Sequence, residues 1–209
     1  MLNGTRELNR PKVPWNKGRI VGPKAPLKLK HIWGIRAKLK IAGKCRDLAL
    51  FDLAIDSKLR GCDLVKLRVG DVVIHGEVKS RASIVQQKTG RPVQFEITEQ
   101  TRASVQAWLG HIDKFSDSYL FPSRIDHSKP MTTRQYARLV EEWIISIELD
   151  RALYGTHTMR RTKASMIYKR TGNLRAVQLL LGHTKLESTV RYLGVEVDDA
   201  LQIAEQTEI

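Results

Sequence analysis

Apolar positions along this chain follow two rhythms, and the change between them outlines the fold before any chemistry is considered. From Leu27 to Ala42, Leu29, Ile32, Trp33 and Leu39, with Arg36 among them, recur near helical spacing until Gly43 ends the run. Arg46 to Ser57 follows with Leu48, Leu50, Phe51, Leu53, Ala54 and Ile55, apolar enough for a core helix. A short helical piece covers Cys62–Leu67. The rhythm then changes. Leu67–Ile74, Gly76–Ser80 extending toward Val85, and Pro92–Ile97 read as three strands, with Lys88-Thr89-Gly90-Arg91 as the turn between the second and third. Thr98 is placed to cap a helix reaching His111, with Val105, Trp108 and Leu109 on one side. Beyond a loop around Pro122 and Pro130, helices are expected at Thr132–Leu149, Thr158–Arg170, Asn173–Leu181, Lys185–Leu193 and Val197–Gln206. No repeat or low-complexity run appears. The outline is a mostly helical α+β domain with one small antiparallel three-stranded sheet.

Ahead of that domain the chain is basic and broken by Pro11, Pro14, Gly18, Gly22, Pro23 and Pro26. Residues 1–26 therefore read as an extended arm, able either to track phosphates or to remain solvated. Charge sharpens the picture. Lys plus Arg number 36 against 22 Asp plus Glu, a net +14 in 209 residues. Such an excess points to a polyanionic partner, nucleic acid first, the plainer alternative being a basic soluble protein with none. Cys45 and Cys62 form no CxxC and read as buried thiols, neither a disulfide framework nor a zinc site. No run approaches the roughly 18 apolar residues of a membrane span, and the N-terminus lacks the apolar core of a signal peptide. Those features suggest work inside a cell.

The last third carries the chemistry. His157-Thr-Met-Arg160 sets an imidazole and a guanidinium three apart near a helix start. Leu179-Leu-Leu-Gly-His183 ends a helix at Gly182 and presents His183 just beyond it. Thr184-Lys-Leu-Glu187 has the form of a capping box for the next helix. On that helix Leu186, Val190 and Leu193 make the apolar stripe, and Tyr192 falls roughly 120° away from it, so its phenol could face a groove. Each piece alone has an ordinary structural explanation. Their order and spacing together do not.

In that order and spacing, His157-Thr-Met-Arg-Arg-Thr, Leu180-Leu-Gly-His183 and Ser188-Thr-Val-Arg-Tyr192 resemble the C-terminal signature of the tyrosine recombinases, or phage integrases. Upstream, Leu53-Ala-Ile-Asp-Ser-Lys-Leu-Arg60-Gly-Cys-Asp63-Leu resembles the block holding that family's first catalytic arginine, and Lys88-Thr-Gly-Arg its catalytic lysine. The resemblance covers about residues 44 to 195. It implies a recombinase catalytic domain over 27–195, with Arg60, Lys88, His157, Arg160, His183 and Tyr192 as catalytic residues and Asp63 as the acidic partner of Arg60. Two departures stand out: Lys58 where the family commonly has Gly, and Asp63 where it usually has Glu. The separate N-terminal helical domain with which most members clamp DNA also has no counterpart in the residues ahead of Arg46.

The resemblance further implies a site-specific recombinase that breaks and rejoins DNA through a 3′-phosphotyrosyl intermediate, without metal, ATP or another cofactor. Its partners would be double-stranded DNA, three further copies of the chain in a tetramer on two DNA sites, and an accessory DNA-bending protein in place of the missing clamp. The expected location is the bacterial cytoplasm, at the nucleoid. After Tyr192 the chain turns acidic while Val197, Ala200, Leu201 and Ala204 keep a helical stripe, so 196–209 would be a helix docking on a neighbouring subunit. Two other functions share much of this pattern: a type IB topoisomerase, with similar Arg, Lys, His and Tyr chemistry, and a DNA-binding regulator that keeps the fold without cutting. The remaining histidines, His31, His75, His111 and His127, belong to no motif.

Overall fold

The helix α2 (Cys45–Ser57) organises the molecule, because none of its residues is exposed and ten of its thirteen are buried. Ala49, Leu50, Phe51 and Leu53 are fully buried, and even Asp52 and Asp56 are enclosed. A helix apolar nearly all round must be covered on every flank. α1 (Leu29–Ile41), α5 (Glu99–Leu109) and α7 (Thr156–Thr171) supply that cover. Asp52 is paired with Arg36 of α1 at 2.6 Å, as an acid this deep requires. The computed structural model describes residues 22–112 and 115–194, together with 201, 204 and 205. The expected arm up to residue 21 and most of the expected Val197–Gln206 helix therefore lie outside the described residues.

The helices expected from spacing are present with bounds shifted by a few residues: α3 (Gly61–Leu64), α6 (Thr133–Ser146), α8 (Leu174–Leu181) and α9 (Leu186–Leu193) complete them. Caps differ in instructive ways. Thr132 and Asn173 accept hydrogen bonds from the backbone N–H groups of Gln135 and Ala176, as N-caps should. Thr98 does not; its hydroxyl donates instead to Asp56 of α2 at 2.7 Å. α9 begins after Lys185, and no side chain caps it, so the expected capping box at Thr184 does not form.

The sheet departs further from expectation. Instead of three strands in one sheet there are two separate antiparallel pairs, β1 (Val73–Ile74) with β2 (Glu77–Val78), and β3 (Arg81–Val85) with β4 (Pro92–Glu96). Val69–Val72, expected as strand, is a one-turn helix, α4. Its entry is fixed by the Asp71 carboxylate accepting from the Arg68 N–H at 2.8 Å, and Val69 and Val72 both turn inward. Among the described residues no helix is long and apolar enough to cross a membrane.

Two apolar clusters result. The larger runs from Leu27 to Met159 and joins α1–α7 with both strand pairs. The smaller consists of Ala164, Val177 and Leu181, with Ile167, Tyr168, Tyr192 and Leu193 packed against it. α7 contributes to both.

Candidate active site

Where α2 ends the chain must turn sharply, and Lys58 does so in the left-handed region, at φ +55°. Glycine takes that conformation without strain, whereas a side chain there costs about 1 kcal/mol or more. Lys58 nonetheless has no solvent exposure. Its Nζ donates to the Asp56 carbonyl at 2.5 Å and to both Glu96 oxygens at 2.9 Å. Lys163 of α7 closes the group by binding Asp56 and Glu96, each at 2.6 Å. Burial pulls the Lys58 ammonium below its usual value, with Glu96 opposing. Burial also raises the Asp56 carboxyl, but the hydrogen bond from Lys163 and that cation's charge outweigh it and hold the group low. A compact set of two cations and two carboxylates thus nails the turn to β4 and α7.

That turn positions both arginines. Arg60, half-buried, precedes α3. Arg160, on the first turn of α7, is buried and donates to the Lys58 carbonyl at 2.5 Å and to the Leu181 carbonyl at 2.6 Å. Burial lowers its guanidinium to about 10. It remains charged at neutral pH. Arg60 donates to the Oε1 of Gln86 at 2.6 Å, and Gln86 in turn donates to the Leu181 carbonyl at 3.3 Å.

Asp63 does not pair with Arg60 as expected; no ion pair between them is present among the described residues. Its Oδ1 instead accepts from the Gln87 N–H at 3.0 Å, tethering the β3–β4 hairpin, while Oδ2 is buried without a partner among the described residues. One methylene shorter than Glu, the side chain ends at the hairpin backbone. Lys88 stands exposed in that hairpin, whose turn Gly90 completes at φ +63°.

His183 follows the left-handed Gly182 that stops α8, and its Nδ1 lies 3.1 Å from the buried Thr189 hydroxyl. With that hydroxyl donating, the imidazole proton sits on Nε2, available to the site. The ring meets Tyr192 edge-on at 5.3 Å. Burial, then Arg160 and Arg60, press His183 down to about 4, so it is neutral at pH 7. His157, open to solvent at the start of α7, is also lowered, first by desolvation and then by Arg160, Arg60, Arg161 and Lys88.

Tyr192 is half-buried, with its ring between Arg161, 5.3 Å from the centroid, and Arg160 at 6.0 Å. Its hydroxyl is enclosed yet has no hydrogen-bond partner among the described residues. Burial raises the phenol to about 12 against the opposing pull of Arg160, Arg161 and Arg60. Lying off the apolar stripe, Tyr192 packs at the edge of the smaller cluster while its oxygen points among the cations. Residues far apart in sequence are thus gathered at one place. Gln86, Arg161 and Lys58 belong to the same constellation, and spacing did not signal the first two. Lys58 was visible only as a residue where glycine was expected.

The sequence model of the phage integrase family matches residues 29–198. Among similar proteins, the probable integrase/recombinase YoeC of Bacillus subtilis is 30% identical over 153 residues, 73% of this chain and 80% of YoeC. Tyrosine recombinase XerC of Psychromonas ingrahamii is 29% identical over 167 residues, 77% of this chain but 52% of XerC. The chain thus spans about half the length of that relative. In structure it resembles the XerH site-specific recombinase, solved bound to its difH substrate before cleavage, with TM-score 0.67 at 18% identity, covering 88% of this chain and 54% of XerH. With the fold, the motif order and the family match in agreement, this chain belongs to the phage integrase family and carries a tyrosine recombinase catalytic domain.

Proposed function

We propose that the chain is a site-specific DNA recombinase that cuts and rejoins strands through a covalent bond between Tyr192 and a 3′-phosphate. The observation that carries this reading is the enclosed Tyr192 hydroxyl, unpartnered among the described residues, beside guanidiniums and imidazoles that form no ion pair with any described carboxylate. Cations gathered without an ion-paired carboxylate among the described residues suit an anion, and a phosphodiester has the right charge. Arg60 and Arg160 clamp its non-bridging oxygens, with a neutral His183 as a further Nε2–H donor. Tyr192 attacks phosphorus in line, and neutral His157 takes the phenolic proton. The P–O5′ bond breaks, and Lys88 protonates the departing oxygen. A 5′-hydroxyl from a second strand then reverses these steps, since the phosphotyrosine keeps the energy of the broken bond.

The high value for the Tyr192 phenol belongs to a site without phosphate. Attack therefore depends on proton removal in concert with bond formation, which a nearby base makes possible. The +14 charge suits a duplex partner. A groove of about 900 Å³ meets the site only at His157, which suits a ligand lying across the surface better than one entering a pocket. Assembly of four copies on two DNA sites through residues 196–209, and help from a DNA-bending protein, belong to the same proposal.

The test is covalent trapping. The chain is incubated with nicked suicide duplexes tiled across the DNA flanking its own gene, then denatured. A protein–DNA adduct, absent for Tyr192→Phe, is expected. Tight binding without adduct on any duplex would favour a DNA-binding regulator, and relaxation of supercoiled plasmid by the lone protomer a topoisomerase.

A further inference from the structure

Gln86 is fully buried, and both ends of its amide are engaged across the site. Its Oε1 accepts from Arg60 at 2.6 Å and from the Thr89 hydroxyl at 3.0 Å, while its Nε2 donates to the Leu181 carbonyl. That carbonyl also accepts from Arg160, so one amide and one carbonyl link the two guanidiniums. The backbone of the same residue closes the Lys88 turn: its N–H donates to the Arg91 carbonyl at 2.9 Å, and its carbonyl accepts from Gly90 at 2.8 Å. Next to it, Gln87 ties the hairpin to α3 through Asp63 and the Cys62 carbonyl. Gln86 therefore belongs at once to the turn that carries Lys88 and to the support of Arg60.

We infer that Gln86 is a positioning residue that couples the Lys88 hairpin to the arginine clamp, so that general acid and phosphate grip come into register together. The inference rests on the recombinase reading. A primary amide suits the task because it accepts at one end and donates at the other. A carboxylate would lack the donor for Leu181, and an apolar side chain would leave Arg60 and Leu181 unmatched. A displacement of the turn pulls Oε1 from Arg60, so the hairpin cannot retire with the clamp intact.

The chemistry offers a test that a merely structural role would not pass. In a duplex whose scissile 5′-oxygen is replaced by sulfur, the leaving thiolate departs without a proton, so loss of the general acid is masked. Lys88→Ala should then be slow on the oxygen substrate and restored on sulfur, while Arg60→Ala should be slow on both. Gln86→Met is expected to bind DNA as the native chain does. It should be slower on both substrates, by about a hundredfold on oxygen, the usual cost of small misplacements, and by distinctly less on sulfur. Should Gln86→Met fail to fold, Gln86→Asn, which keeps the amide but cannot span both ends, carries the same test. Equal losses on the two substrates would confine Gln86 to Arg60, a loss on oxygen alone would confine it to the hairpin, and native rates would give it no role; each overturns the coupling. No adduct from the native chain sinks the recombinase reading itself, whereas native reactivity with an indifferent Gln86 sinks only the inference.

Discussion

Arg60 and the Lys88 hairpin stand on the larger apolar cluster, where Phe51, Leu53, Leu64 and Phe95 are buried almost completely. His183 and Tyr192 ride on α8 and α9, which rest on a cluster with three fully enclosed members among the described residues, Ala164, Val177 and Leu181. In α9 itself the one buried residue is Thr189. The clamp therefore has a rigid foundation, and the nucleophile has a shallow one. Regions with little buried apolar surface open at lower free energy than the core beside them. A group that must approach a phosphate, become covalently attached and later let go benefits from the shallow foundation, whereas an electrostatic cradle benefits from the rigid one. α7 joins the two, with Met159 in the large cluster and Ala164 in the small one. Arg160 crosses the seam through its bonds to the Lys58 and Leu181 carbonyls.

The contrast can be broken at its seam. Arg160→Ala should slow strand cleavage by about a thousandfold or more, as removal of a preorganised donor does. It should also cost about 2–4 kcal/mol in a urea melt, because the buried Lys58 carbonyl loses its donor and the Leu181 carbonyl loses one of two. Cleavage within tenfold of native would refute the crossing role. The next effect separates the foundations. Leu53→Ala and Leu181→Ala should each cost about 2–5 kcal/mol, but by different routes. The first should speed amide hydrogen exchange throughout; the second should do so in residues 174–193 while α2 keeps its protection. Uniform acceleration in both would mean a single cooperative unit.

Lys58→Met tests the turn beneath the arginines, with an expected loss of about 1–3 kcal/mol as the charged hydrogen bonds disappear. Lys58→Gly should lose less, since relief of the left-handed strain offsets about 1 kcal/mol. If the glycine variant is the weaker of the two in thermal melts, packing of the buried side-chain stem matters more than the backbone strain. The smallest effect is with pH. His183, and to a lesser degree His157, are held below 6.5 in the folded chain, so between pH 6.5 and about 4 the unfolded chain binds more protons. Their contribution to stability is therefore whole above pH 6.5 and diminishes as pH falls toward 4. His183→Gln should flatten that limb of the melting curve.

Much of this was legible in residue order because local signals carry it. α2 announces itself by an apolar run from Leu48 to Ile55 broken only by Asp52, α8 by Asn173 at one end and Gly182 at the other. The six expected catalytic positions came from the family resemblance in motif order, and the fold brings Arg60, His157, Arg160, His183 and Tyr192 close together. What spacing could not show were contacts between distant residues. Gln86 meets Leu181 across 95 positions and Lys163 meets Asp56 across 107, and neither pairing leaves a local trace. Val69 and Val72 mislead for a different reason. β-branched residues favour strand, but a single hydrogen bond from the Arg68 N–H to Asp71 is enough to start a turn of helix. Asp63 shows a third limit: the family resemblance makes it the acidic partner of Arg60, yet its carboxylate reaches the hairpin instead.

Gly182 sits at φ +64°, and a methyl group built on it would come within 3.2 Å of both the nitrogen and the oxygen of the Gln86 amide. What looked like simple punctuation at a helix end is also a spacing rule between two distant segments. For anyone diversifying this protein by random mutagenesis, positions 86 and 182 form a single closed locus. Alanine at 182 should behave like a lesion at 86, and a library that varies one without holding the other will be depleted at both.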